Sequence, residues 1–226
     1  TLHPGQTPST PPGAALPALP ARIALPLTRV RELRYGENPH QGAGVYAVPD
    51  AVSGAALATT PPLHGKLLSY NNLLDANAAL ALARDLLALD PTRHAGVVVK
   101  HTNPCGAAVA PSVFGAVDAA LAGDPMAAYG GILATTSIID RPTAERLAAR
   151  GTFLEVILAS GFEDEALRIL TAKSKAVRLL SVDRHPPYSG ARAEAVTSIR
   201  TIHGGCLVRS LIPIRRSRPP SAPSPR

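Results

Sequence analysis

The stretch VVVKHTNPCGAAVA, residues 97–110, decides how the rest of the chain is read. Three consecutive valines suit a short strand buried on both faces, because β-branched side chains pack well on a pleated surface. The run ends on Lys100 and His101, two groups able to move protons, and Asn103, Pro104, Cys105 and Gly106 then have the composition of a turn. A lysine ammonium at the end of a buried strand has to reach water or find a partner. A histidine taken alone is more often structural; beside that lysine it becomes a candidate for chemistry.

The flanks of this stretch alternate in period. Upstream, DANAALALARDLLAL (75–89) sets Ala79, Leu82, Leu86 and Leu89 at helical spacing, with Asp75 as a candidate N-cap and Pro91 beyond the end. Downstream, PSVFGAVDAALAG (111–123) reads as a helix capped by Ser112 and stopped at Gly123. GGILATTSII (130–139) is strand-like, RPTAERLAAR (141–150) is a helix with Pro142 in its first turn, and FLEVILAS (153–160) is apolar and strand-like. A further helix, EDEALRILTAKS (163–174), leads to AVRLLSV (176–182). Strands alternating with helices predict an α/β fold with a mainly parallel or mixed sheet. In such sheets ligands gather past the carboxyl ends of strands, which is where this reading puts Lys100 and His101.

Composition agrees with that class and narrows the function. The 226 residues are 46% hydrophobic and only 4% aromatic, with no tryptophan, which favours helices on a sheet over an aromatic-rich sandwich. Net charge is +7, but the terminal IRRSRPPSAPSPR carries four arginines and no acid, so much of the excess is a tail and nucleic acid is not the expected partner. The two cysteines, Cys105 and Cys206, lie far apart without a CxxC spacing, which predicts reduced thiols in a cytoplasmic protein. No apolar run reaches the roughly 18 residues that cross a bilayer, so no membrane is expected as a partner. Residues 1–32 are Pro-rich and read as linker or tail, and residues 211–226 as a divergent basic, disordered tail.

Two further loop-like segments are too particular for connectors. LRYGENPHQGAGVY (33–46) combines a cation, an aromatic, a Gly turn and a carboxylate, and GKLLSYNNLLDANAA (65–79) puts a polar Ser-Tyr-Asn-Asn group before a helix. Each has a plain alternative: Asn-Pro is often just a turn, and Asn72 or Asp75 could merely cap a helix. Zinc is not expected. PCGAA offers Pro104 and Cys105 of the P-C-x-x-C pattern of zinc deaminases but has Ala108 at the second cysteine, and no H-x-E precedes it. Cys105 reads as packing in a tight segment. Gly130 and Gly131 do not form a G-x-G-x-x-G fingerprint, although a Gly-Gly lets a backbone approach a ligand closely.

In order along the chain, LRYGENPHQ, LSYNNLLDANAA, VVKHTNPCGAAVA, GDPMAAYGGILA and IIDRPTAERL resemble the transformylase region of the PurH family of bifunctional purine-biosynthesis enzymes, densely from about Leu33 to Leu180. The resemblance implies a cytidine-deaminase-like three-layer α/β fold without catalytic zinc. It implies an AICAR formyltransferase, which moves a formyl group from the co-substrate 10-formyltetrahydrofolate to the 5-amino group of aminoimidazole carboxamide ribonucleotide (AICAR). It also implies residue roles: His101 as the base that takes the amine proton, and Lys100 as the cation that stabilises the growing charge. Arg34, Tyr35, Asn72, Gly130 and Glu155 correspond to nucleotide contacts. AICAR and folate are the implied partners, with a homodimer where the whole transformylase region is present.

Departures accompany the likeness. No IMP cyclohydrolase domain is recognisable in residues 1–32. Residues 33–183 match a first transformylase subdomain and 184–210 the segment that joins it to a second, with SIRTIHGGCLVRS (198–210) carrying the likeness until it stops after Arg209. Thr135 and Thr136 stand where the family has an aromatic and an asparagine, and Ser160 replaces a proline. A truncated transformylase is therefore expected, with a catalytically inactive AICAR-binding fragment or partner subunit as the alternative.

Overall fold

The structure, a computed structural model, describes Leu19 and residues 21–47, 56–182 and 197–210. Of the linker read over 1–32, residues 1–18 and 20 lie outside the described residues, as does the whole tail read over 211–226. The chain divides into two compact units. The smaller includes 197–210, where β10 (Thr197–Ile202) and β11 (Gly205–Ser210) form an antiparallel hairpin turning at Gly204, φ +76°. The larger covers 25–47 and 56–182 among the described residues.

The larger unit opens with an antiparallel pair, β1 (Thr28–Leu33) and β2 (Ala43–Ala47). Helix α1 (Tyr70–Leu89) and strand β3 (His94–Lys100) follow, then β4 (Asn103–Ala110), α2 (Val113–Gly123) and the short α3 (Pro125–Ala128). Strand β5 (Gly131–Thr135), β6 (Ile138–Ile139), α4 (Arg141–Ala148), β7 (Leu154–Ala159), β8 (Gly161–Phe162), α5 (Asp164–Lys173) and β9 (Arg178–Ser181) complete it. The main sheet has the order β4-β3-β5-β7-β9. Strands β5, β7 and β9 are parallel, whereas β3 runs antiparallel to both of its neighbours. The sheet is mixed.

Helices cover both faces, making three layers. Val98, Leu133, Ile157 and Leu179 pack with Val117 and Leu121 of α2, Leu147 of α4 and Leu170 of α5. On the other face Val97, Val99, Ile132, Ala134, Val156, Leu158 and Leu180 meet Ala76, Ala79, Leu80 and Ala83 of α1. Val97, Val98 and Val99 therefore point alternately to two separate cores, which is why the sequence gives an unbroken valine run instead of an apolar–polar alternation.

Three expectations are corrected. Asn103-Pro104-Cys105-Gly106 is not a turn but the first half of β4. β4 is an edge strand, so the missing N–H of Pro104 is tolerated there, and a bulge between Val98 and Val99 absorbs the irregularity. Gly106 serves close packing: a Cβ there would collide with the Ala120 carbonyl oxygen of α2, and a Cβ on Gly96 would sit 2.6 Å from that of Ala116. Second, α1 begins at Tyr70, and its cap is Ser69, not Asp75. Ser69 Oγ accepts from Asn72 N at 3.2 Å and Ser69 N donates to Asn72 Oδ1 at 3.4 Å, a reciprocal capping box. Third, because β3 is antiparallel to β5, the carboxyl end of β3 lies at the amino ends of β5, β7 and β9.

Candidate functional site

The two-residue turn between β3 and β4 is His101–Thr102. Among the described residues these are the two non-glycine residues with left-handed backbone, at φ +53° and +60°. A tight antiparallel hairpin needs positive φ at both central positions, usually met by Asn-Gly or Gly-Gly. An L-residue with a Cβ held there costs roughly 1–2 kcal/mol. Asp75, on the second turn of α1, offsets that cost: its Oδ2 accepts from His101 N at 3.1 Å and its Oδ1 from Thr102 N at 2.7 Å. The His101 carbonyl is fixed as well, accepting from Thr102 Oγ1 at 2.7 Å and Asn103 Nδ2 at 2.9 Å. The backbone of His101 is thus tied on both sides. Its exposed imidazole makes no hydrogen bond among the described residues, so both ring nitrogens are open to a ligand.

Lys100, half-buried, finds the partner that its position demands. Its Nζ donates to the Tyr129 carbonyl at 2.8 Å. That carbonyl belongs to the loop leading into Gly130, φ +76°, whose N–H donates to the Phe153 carbonyl at 2.8 Å. Gly131 pairs with Leu154 at the start of β7, so the next residue, Glu155, lies at the same end of the sheet. Asn72, buried at the head of α1, donates from Nδ2 to Glu155 Oε2 at 2.9 Å, and Arg178 at the start of β9 stands 3.8 Å from that oxygen. Lys100, His101, Gly130, Glu155 and Asn72 therefore share one rim, with the first turns of α1 above it. Alternation of strands and helices places them past the carboxyl ends of the strands; they stand at the amino ends of three strands because β3 is reversed.

Arg34 and Tyr35 follow β1 and interact with each other, the guanidinium lying 5.8 Å from the ring centroid. No hydrogen bond or ion pair among the described residues ties either to the rim. Sequence reasoning missed two members of the rim. Arg178 is a lone cation inside the apolar AVRLLSV, the same signal that singled out Lys100. Asp75 lies three residues after Asn72, so the two share a helix face, but its contact with the backbone of the His101–Thr102 turn left no mark in the sequence.

Cys105 is half-buried in β4. Burial pushes its thiol up, and the Asp124 carboxylate adds to the rise while Lys100 opposes it. A thiol held in its neutral form is a poor nucleophile and a poor metal ligand. Among the described residues no group of three or more His, Cys, Asp or Glu side chains could hold a metal ion, and no helix is long and apolar enough to cross a membrane.

A profile of the AICARFT/IMPCHase bienzyme family matches residues 9–215. The bifunctional purine biosynthesis protein PurH of Lacticaseibacillus casei (strain BL23) is 43% identical over 183 residues, covering 81% of this chain and 34% of that protein. The PurH of Synechococcus sp. (strain CC9311) is 45% identical over 205 residues, 88% of this chain and 36% of the relative. That of Bacillus thuringiensis (strain Al Hakam) is 40% identical over 190 residues, 84% and 34%. The chain thus spans about a third of the length of the curated relatives it matches. Among solved structures, Acinetobacter baumannii RibD in its form 2 overlaps 46% of this chain and 34% of that chain, with a TM-score of 0.35 and 19% sequence identity.

Proposed function

The chain belongs to the AICARFT/IMPCHase bienzyme family, and from that premise we propose that it carries the first half of an AICAR transformylase site. The observation that supports this most is the rim itself: a base and a cation at consecutive positions, beside a glycine loop and an Asn–Glu pair. Formyl transfer from 10-formyltetrahydrofolate to the 5-amino group of AICAR needs those parts. The acceptor amine is conjugated with the ring and its carboxamide, so it attacks only as a proton leaves its nitrogen. The open imidazole of His101 accepts that proton.

As the amine nitrogen bonds to the formyl carbon, the C=O electron pair moves onto oxygen. An ammonium carries three N–H donors, and Lys100 uses one on the Tyr129 carbonyl, leaving two for that oxygen. Collapse of the intermediate breaks the bond to the folate nitrogen, which leaves with a proton delivered from the Lys100–His101 pair. Asn72 and Glu155 present an amide and a carboxylate suited to the polar edge of AICAR, and Gly130 lets a ligand approach the backbone. Arg34 and Tyr35 take the nucleotide by similarity, the guanidinium as a fork for phosphate.

In this reading residues 33–183 form a first transformylase subdomain and 184–210 the segment toward a second, the working enzyme is a cytoplasmic homodimer, and no metal takes part. A second reading is AICAR binding without turnover. Following tetrahydrofolate release from purified chain, AICAR and 10-formyltetrahydrofolate, with Lys100→Met alongside, separates the two. Turnover above that variant supports catalysis; binding without it supports the second reading.

A further inference from the structure

We propose that Asp75 is a positioning residue: its carboxylate holds the His101–Thr102 turn in left-handed conformation and thereby fixes where Lys100 and His101 stand. For catalysis the inference rests on the function proposed above; for the turn itself it rests on geometry alone.

Asp75 spends one carboxylate oxygen on each of two successive backbone N–H groups, 3.1 Å from His101 and 2.7 Å from Thr102. These N–H groups belong to the two non-glycine residues with positive φ among the described residues. A hairpin whose turn residues were Gly would hold this shape unaided; His and Thr do not, so the side chain of another element supplies what they lack. The tether also runs between layers. Asp75 sits on α1, whose Ala76 and Ala79 are buried against Val97 and Val99 of β3, so the helix that packs on the strand also sets the strand's end. Asn72, one helical turn earlier, holds Glu155 on the same rim. One helix face thus positions both the Lys–His pair and the carboxylate opposite it.

Each Asp75 oxygen is engaged by a backbone amide of the turn, not by a side chain of the rim. That separates it from Lys100 and His101, and it dictates the test. In wild-type chain the amide protons of His101 and Thr102, both hydrogen-bonded to the Asp75 carboxylate, are expected downfield. Asp75→Ala removes both signatures and the positive-φ coupling pattern, while the amides of His94 and Ser137, at the far end of the sheet, stay in place. Adding Thr102→Gly to Asp75→Ala restores the turn, since glycine adopts positive φ without help. Should Asp75→Ala fail to fold, Asp75→Asn decides. Its single carbonyl oxygen retains one of the two amide bonds, so one amide proton keeps its downfield shift and the other loses it. A turn that keeps its signature in Asp75→Asn and Asp75→Ala overturns the proposal, as does the absence of any rescue by glycine.

The kinetic arm reads the consequence. A reacting group displaced by about 1 Å loses on the order of 10²-fold in rate. Asp75→Ala is expected to lower kcat by that order with KM for AICAR little changed, and Thr102→Gly to recover part of it. No turnover by the wild-type chain sinks the transformylase reading and leaves the amide signatures to decide the positioning; equal kcat for wild type and Asp75→Ala sinks the positioning alone.

Discussion

Lys100 owes its place to a conflict between burial and charge. Its aliphatic stem extends a strand whose valines are fully buried, and its ammonium turns to the Tyr129 carbonyl while keeping donors to spare. Lys100→Met keeps the stem and deletes the charge. It is expected to reduce formyl transfer on the order of 10²–10³-fold, the loss typical of one oxyanion donor, with thermal stability unchanged. The check is steady-state kinetics beside a thermal melt. Cys105 makes the opposite case: held as a neutral thiol by burial and Asp124, it should resist alkylation by iodoacetamide at neutral pH, and Cys105→Ala should leave transfer intact. Asp85 on α1 gives a pH signature. Asp85 is exposed, and partial desolvation raises its carboxyl above the ordinary range, so the folded chain binds that proton slightly more tightly than the unfolded one. The stability tied to it is present in acid and is lost as pH rises through the raised value. Asp85→Asn should therefore melt higher than wild type at neutral pH, with the gain vanishing in acid; thermal melts across pH read it. At this scale the sequence was informative where a polar residue sat against an apolar run, as at Lys100. It was silent where the decisive contact was to backbone, as at Asp75, whose partners lie 26 and 27 positions away.

Helices and strands were legible where burial sets a period. The valine run was legible as a strand because both faces of β3 are covered, and Asp140 with Pro142 opens α4 where a helix start was read, the Asp140 side chain accepting from Thr143 N at 3.0 Å. The head of α1 was read five residues late. Its capping box uses Asn72 where Glu or Gln is usual, so a polar Ser-Tyr-Asn-Asn group looked like a loop. β4 was missed because Asn-Pro and Cys-Gly are turn residues by composition, and only the packing against α2 shows why Gly is needed. That packing is testable: Gly106→Ala drives a Cβ into the Ala120 carbonyl, backbone against backbone, with no flexible side chain to yield. It should cost about 2–3 kcal/mol of stability, at the upper end for overpacking, read as a lowered urea midpoint. Because Gly106 pairs with Val98, two positions before Lys100, the same variant should also broaden the amide signals of the His101–Thr102 turn.

Across the larger unit, one reversal of strand direction sets where chemistry is possible. With β3 antiparallel to β5, the end that carries Lys100 and His101 meets the starts of β5, β7 and β9, and with them Gly130, Glu155 and Arg178. The head of α1 closes over the same rim through Asn72 and Asp75. An all-parallel sheet would have sent the Lys–His pair to the opposite end from Glu155. The alternation of strands and helices foretold the layers but carried no mark of strand polarity. That is decided by the two-residue hairpin at His101–Thr102, whose turn chemistry the sequence conceals because neither residue is glycine. No hydrogen bond or ion pair among the described residues joins Arg34 or Tyr35 to the rim, so their proposed contact with the nucleotide depends on ligand bridging the two. The central claim, that this rim transfers formyl groups to AICAR, is tested most directly by tetrahydrofolate release from purified chain supplied with AICAR and 10-formyltetrahydrofolate. AICAR-dependent release by wild type that falls on the order of 10²-fold in Lys100→Met is the predicted result; equal release by both, or none by wild type, contradicts it.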